Sequence, residues 1–128
     1  ANIAIVDQAR DGTGCAIVHS DSASGIQRLN QEAAKALAAG RKAGFDISEG
    51  RAMTWITKNP AKSLGILDQT GTLEQGKDAD IVIWSGNPFS IYSKAEKVFI
   101  DGALAFDKAT NFMPHTDFDI GVKEWEDK

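Results

Sequence analysis

The run Cys15-Ala16-Ile17-Val18 is apolar without alternation, the pattern of a parallel strand covered on both faces rather than of a strand with one wet side. A strand of that kind cannot stand by itself, since its faces and its edges all need partners. The neighbouring sequence supplies helices for the faces. Ile3 to Ala9 reads as the end of a helix stopped by the turn residues of Arg10-Asp11-Gly12-Thr13-Gly14. Ile26, Leu29, Ala33, Leu37 and Gly40 recur at helical spacing, with Glu32, Lys35, Arg41 and Lys42 mostly on the other side, and Gly44 ends that helix. Ser48 is the expected cap of a second helix carrying Ala52, Met53 and Ile56, with Glu49 favourably placed in its first turn. A short third helix follows in Asn59-Pro60-Ala61-Lys62-Ser63-Leu64-Gly65, with Asn59 as cap, Pro60 as first helical residue and Gly65 as left-handed terminus.

The composition changes near Asp68. Two glycine turns, at Gly71 and Gly76, precede Ile81 to Trp84, a second continuous apolar run that predicts a second fully buried strand. Ser85-Gly86-Asn87-Pro88 breaks it. Lys97 to Phe106 then reads as two strands joined at Asp101-Gly102, a dipeptide that accepts the positive φ angles of a two-residue hairpin turn. From Asp107 onward Phe112, Phe118, Ile120 and Trp125 are scattered among acids, which predicts a tail packed across a neighbouring surface. There is no internal repeat, low-complexity tract or long linker.

Composition removes several classes of function. The chain has 128 residues, the size of one domain, and a net charge of -4, which leaves no basic surface for nucleic acid or an anionic membrane. No apolar stretch approaches the ~18 residues of a membrane-spanning helix. The single cysteine excludes an internal disulfide and a multi-cysteine zinc site, and Cys15 is expected to pack as a small hydrophobe. The chain does not open with methionine, so a processed or excised segment is as plausible as a whole gene product. Any targeting signal would then lie upstream, which leaves cytoplasm and periplasm both open.

Chemistry gathers where the first strand ends, in His19-Ser20-Asp21-Ser22-Ala23-Ser24. A Ser/His/Asp triad is excluded there, because successive strand residues point to opposite faces and Ser20 is turned away from His19 and Asp21. One face carries Ile17, His19 and Asp21. A carboxylate at the end of a buried strand pays a desolvation penalty unless a cation or donors meet it, and in α/β barrels that end of the strands is where chemistry sits. Other motifs are weaker. Gly12-Thr13-Gly14 is only part of a dinucleotide fingerprint, since the third glycine would fall at Ile17. Gly76-Lys77-Asp78-Ala79-Asp80 lacks P-loop spacing, so Lys77, Asp78 and Asp80 read as turn and cap residues, Asp80 accepting backbone hydrogen bonds where the strand begins. His115 has no second imidazole at ligand spacing and reads as solvated.

The strand Cys15 to Asp21, the helices ending at Ile66, the stretch Thr70 to Pro88 and the hairpin Val98 to Phe106 together resemble the C-terminal portion of the amidohydrolase superfamily, near its imidazolonepropionase-like and dipeptidase-like metal-dependent hydrolases. The resemblance covers residues 14–107 and is most specific in T-x-N-P-A-K-x-L-G (Thr57 to Gly65) followed by G-x-L-x-x-G-K-x-A-D-I-V (Gly71 to Val82). It implies an α/β fold in which residues 1–67 finish a (β/α)8 TIM barrel with its last strand and helices, residues 68–107 form part of a small β-sandwich, and residues 108–128 are a C-terminal tail. It also implies hydrolysis of C–N bonds in amides, cyclic amides or small peptides, with one or two divalent ions, zinc being the expected metal. By position, Asp21 corresponds to the family's metal ligand and general acid/base. His19, Ser22, Ser24, Arg28 and Asn30 are then candidates for contacting substrate or the metal ligands. The family's paired histidines and further ligands belong upstream, and a full barrel needs more than roughly 200 residues. The chain alone is therefore expected to be inactive, and its partners are the missing N-terminal part of the barrel and a small-molecule or peptide substrate; a homo-oligomer stays open. The competing reading is a non-catalytic module that packs against a partner chain.

Overall fold

Helices come first and strands after them in the computed structural model, which describes residues 2–110. Helix α1 (Asn2–Gly12) is regular only to Gln8, because Ala9 is extended and Arg10 and Asp11 are left-handed at φ 53° and 57°. The chain thus turns inside the stretch expected to stop the helix. Residues 14–20 lie in neither helix nor paired strand, and the shared bonding edge of Gly14, Ala16 and Val18 is that of extended chain. A 3₁₀ turn (Ile26–Arg28) then leads into α2 (Leu29–Lys42), which buries Ala33, Leu37 and Gly40 as the spacing predicts. Ile26 is instead exposed, since it lies in the turn ahead of the helix. The first two helices pack closely: a Cβ on Gly40 would come within 2.7 Å of the Ala4 Cβ.

Helix α3 (Glu49–Thr54) is capped as expected, with Ser48 Oγ accepting from the Arg51 N–H at 3.1 Å. Helix α4 (Lys58–Leu64) closes on Gly65, left-handed at φ 76°, also as expected. Its start differs. Thr57 stands at the cap position, and Asn59 and Pro60 lie inside the first turn. Asn59 does not cap because it is already the second helical residue; its side chain is used elsewhere, donating from Nδ2 to the Ala16 carbonyl at 2.7 Å.

Ala4, Ala16, Leu37, Ile47, Ala52 and Trp55 form the buried core, with Ile3, Val18, Ala36, Phe45 and Phe89 packed against it. Burying a large apolar side chain contributes about 1.5–3 kcal/mol, so Trp55, Ile47 and Leu37 dominate a core otherwise built of alanines. Asp7 is also fully buried there. Its Oδ1 accepts from Arg51 Nε at 2.8 Å and Trp55 Nε1 at 2.7 Å, and its Oδ2 from Gln8 Nε2 at 2.9 Å. Cys15 is exposed, contrary to the expectation that it packs, because it alternates to the side away from Ala16 and the core.

Strands β1 (Ile81–Trp84), β2 (Ala95–Ile100) and β3 (Ala103–Asp107) form an antiparallel sheet in that order. The hairpin is the one expected: Ile100 faces Ala103, and Asp101 and Gly102 at φ 50° and 76° supply the positive values of a type I′ turn. Asp80 acts as anticipated, its Oδ1 accepting from the Asp101 N–H at 3.2 Å and its Oδ2 from Thr70 Oγ1 at 2.9 Å. Lys77 is a turn residue, donating to the Leu67 carbonyl and Thr72 Oγ1, each at 2.6 Å. β1 is not fully buried, with Val82 42% and Ile83 44% exposed. The reason is its place: it is an outer strand of an antiparallel sheet, not a central parallel one. No helix among the described residues is long and apolar enough to cross a membrane. His115, Phe112, Phe118, Ile120 and Trp125 lie outside the described residues.

Candidate active site at the end of the first extended segment

Residues 14–18 are extended yet pair with no strand among the described residues. The polar groups of one edge go to the helices instead. The Gly14 carbonyl accepts from Arg51 Nη2 at 3.0 Å, the Ala16 carbonyl from Asn59 Nδ2 at 2.7 Å, and the Val18 N–H donates to the Trp55 carbonyl at 3.1 Å. The expectation of a strand covered on both faces is met on one face only. Ala16 is buried and Val18 packs on the core, whereas Cys15, His19 and Asp21 on the other face are exposed and Ile17 is half-buried. The physical reason is that the described helices meet the segment from one side.

His19 and Asp21 come together on the open face, as alternation demands. His19 Nδ1 is 3.4 Å from Asp21 Oδ1, and the two side chains are 73% and 96% exposed. The desolvation expected at Asp21 is therefore not imposed by these residues. Ser20 Oγ is occupied by the backbone of Ser22, at 3.1 Å from its N and 3.2 Å from its O. Ser22 Oγ lies 3.0 Å from Ser24 Oγ and accepts from the Gly25 N–H at 3.2 Å, so both serines shape the turn that follows.

A hollow of about 620 Å³ opens beside this turn, lined by His19, Ser20, Ser22, Ser24, Arg28 and Glu32. Asp21 adjoins it through His19. The structure thus gathers His19, Ser22, Ser24 and Arg28, while Asn30 is not brought to them: its Nδ2 donates to the Pro88 carbonyl at 2.6 Å, tying α2 to the chain after β1. A carboxylate oxygen and an imidazole nitrogen both suit a divalent ion such as zinc, and Asp21 is open enough to serve as one ligand. No cluster of three or more His, Cys, Asp or Glu able to hold a metal occurs among the described residues. Catalytic zinc takes three protein ligands, so these residues fit as a contribution to a metal centre and not as a whole one.

Of the residues that hold the segment in place, the sequence points to Asn59 alone, and to it as a helix cap. Asp7 carries the only hint of the others. It shares a helix face with the buried Ala4, and an acid on an apolar face implies a buried partner.

Comparison with known proteins gives the site its setting. The sequence model of the Amidohydrolase family matches residues 2–112. An imidazolonepropionase from Brucella suis is 52% identical over 40 residues, covering 31% of this chain and 10% of that protein. An imidazolonepropionase from Thermoplasma volcanium is 42% identical over 67 residues, covering 48% of this chain and 17% of that protein. The crystal structure of an amidohydrolase from Thermotoga maritima matches with a TM-score of 0.66 at 36% identity, covering 80% of this chain and 25% of that one. The mixed helix and sheet of the chain and this likeness give it an α/β fold. It spans only a tenth to a quarter of the length of these proteins. With all of its described residues matching one family, the chain belongs to the amidohydrolase family.

Proposed function

We propose that this chain is the C-terminal portion of a longer, metal-dependent hydrolase that cleaves C–N bonds in amides, cyclic amides or small peptides. Residues 1–67 would finish a (β/α)8 barrel and residues 68–107 contribute to a small β-sandwich. The observation that carries this reading is the open face of the first extended segment. Asp21 is 96% exposed and stands beside His19, on a segment whose opposite face is anchored in the core. In a barrel, the corresponding end of the strands is where catalytic residues gather.

Asp21 would hold one or two divalent ions, zinc being the expected metal, together with ligands from the N-terminal part of the protein. When bound, such an ion polarises a carbonyl and makes water more acidic. The work of Asp21 is to move a proton. Its carboxylate takes one from the water that attacks the carbonyl carbon, and hands it to the nitrogen as the C–N bond breaks. His19, 3.4 Å away, orients that carboxylate. Ser22, Ser24 and Arg28 line the hollow and meet the polar groups of the substrate.

The test uses the full-length protein and a panel of dipeptides and cyclic amides such as hydantoins, before and after chelation and with zinc restored. Turnover that disappears with the metal and returns with zinc is the expected result. Turnover unchanged by complete metal removal, or no C–N hydrolysis across the panel, would contradict it. The 128-residue chain alone, with too few ligands among its described residues, is expected to hydrolyse none of the panel.

A further inference from the structure

Arg51, Trp55 and Asn59 stand at four-residue intervals, and each takes one group on the same edge of residues 14–18. Alternate residues of an extended chain present their N–H and C=O to the same side, so Gly14, Ala16 and Val18 form a single edge held at three points. Two of the holders also serve the core. Arg51 and Trp55 both donate to the buried Asp7 carboxylate.

Asn59 differs from them. It is 8% exposed, and its side chain makes a single short bond, 2.7 Å from Nδ2 to the Ala16 carbonyl. Its own carbonyl meets the preceding residue of the segment, with Cys15 Sγ at 3.8 Å. An asparagine at a helix start ordinarily caps the helix, and this one forgoes that use. Because side chains alternate strictly along extended chain, a slip of one residue at Ala16 would carry His19 and Asp21 to the opposite face.

We propose that Asn59 is a positioning residue for the reaction at Asp21. Its donation to the Ala16 carbonyl fixes the register of residues 16–21, so that His19 and Asp21 stand together on the open face. This rests on the role given to Asp21 above.

The test is made in the full-length, zinc-loaded protein. Asn59→Asp keeps the size but sets an acceptor against the Ala16 carbonyl. Asn59→Ser removes the reach without adding charge and serves if the aspartate variant does not fold. Lys62→Ala, at an exposed position of α4, is the control. The measurements are kcat and KM, zinc affinity by chelator competition, and amide exchange at Val18. Loss of groups that orient metal ligands costs about 10- to 100-fold in affinity or activity. Both Asn59 variants are therefore expected to lower kcat and zinc affinity by about tenfold or more, with KM changed less than about threefold. Exchange at Val18 should accelerate, and Lys62→Ala should change none of these.

An Asn59 variant that melts earlier but keeps kcat, zinc affinity and Val18 exchange would overturn the proposal, since a purely structural role predicts that outcome. Asp21→Asn separates the two failures. If it abolishes turnover while the Asn59 variants are silent, the positioning role falls alone; if it leaves turnover intact, the role of Asp21 falls and the positioning role with it.

Discussion

The segment at residues 14–20 and the hairpin at residues 95–107 are both extended chain, yet their backbone groups are met in opposite ways. The hairpin is met by strands along its ladder. β2 pairs with β1 on one edge and β3 on the other, and a two-residue turn closes the register. The segment pairs with no strand among the described residues and is held on one edge by Arg51, Trp55 and Asn59. Its other face carries His19 and Asp21 into the open. A segment fastened by distant residues on one side leaves the other side for something else to complete, and that is where the family's chemistry is proposed to lie.

Removing the fastening should distinguish the two regions most strongly. Arg51→Ala leaves the Asp7 carboxylate buried without its cation, and breaking a buried ion pair costs about 3–5 kcal/mol. Because the Arg51 side chain is 35% exposed, the loss should lie toward the low end, read by urea unfolding. Amide exchange at Val18 should accelerate before that at Val98 in β2; equal loss of protection at both would break the contrast. Trp55→Phe keeps a six-membered aromatic ring but removes the pyrrole ring and its donor to Asp7, so the loss of about 1–3 kcal/mol for the hydrogen bond is joined by the cost of a cavity at a fully buried site. A thermal shift near zero would mean that Arg51 and Gln8 satisfy Asp7 without the indole.

Gly102→Ala reverses the target. At φ 76° an alanine is strained by about 1–2 kcal/mol, and the effect should be confined to β2 and β3, leaving Val18 exchange unchanged. The smallest effect is at Asp107. The hydrogen bond from Lys97 Nζ at 2.6 Å, and then that from the Ala109 N–H, hold its carboxyl below the ordinary 3.8. A folded value below the unfolded one stabilises the hairpin end at pH above the ordinary value, and that contribution is lost as pH falls through the folded value. Lys97→Met should flatten this acid dependence in the exchange of β3 amides. A dependence as steep as in the unsubstituted protein would show that Lys97 is not its source.

The contrast also explains what could be read from the sequence. Asp101-Gly102 announces its turn because the partners of both strands are adjacent in the chain. Ser48, Gly65 and the buried face of Ala33, Leu37 and Gly40 were legible for the same reason: cap and helix-face signals are local. The pairing of His19 with Asp21 followed from the two-residue period of extended chain. Partners far along the chain left no such mark. Asn59 reads as a cap because nothing nearby shows that Ala16, 43 residues earlier, takes its amide. Asn30 reads as a substrate contact because Pro88 lies 58 residues on. Cys15, Val82 and Ile83 read as buried because an apolar run looks the same whether or not its covering surface lies within the described residues.

The central claim is that Asp21 moves the proton in a C–N hydrolysis, and turnover by Asp21→Asn in the full-length protein tests it most directly. The substitution keeps size and one acceptor oxygen but removes the charge and the capacity to accept the proton. General acid/base catalysis is worth about 10²- to 10⁴-fold, so kcat should fall more than about a hundredfold, with Ser22→Ala and Ser24→Ala costing far less. Near-normal kcat in Asp21→Asn at full metal occupancy, with a serine substitution abolishing turnover, would contradict the account.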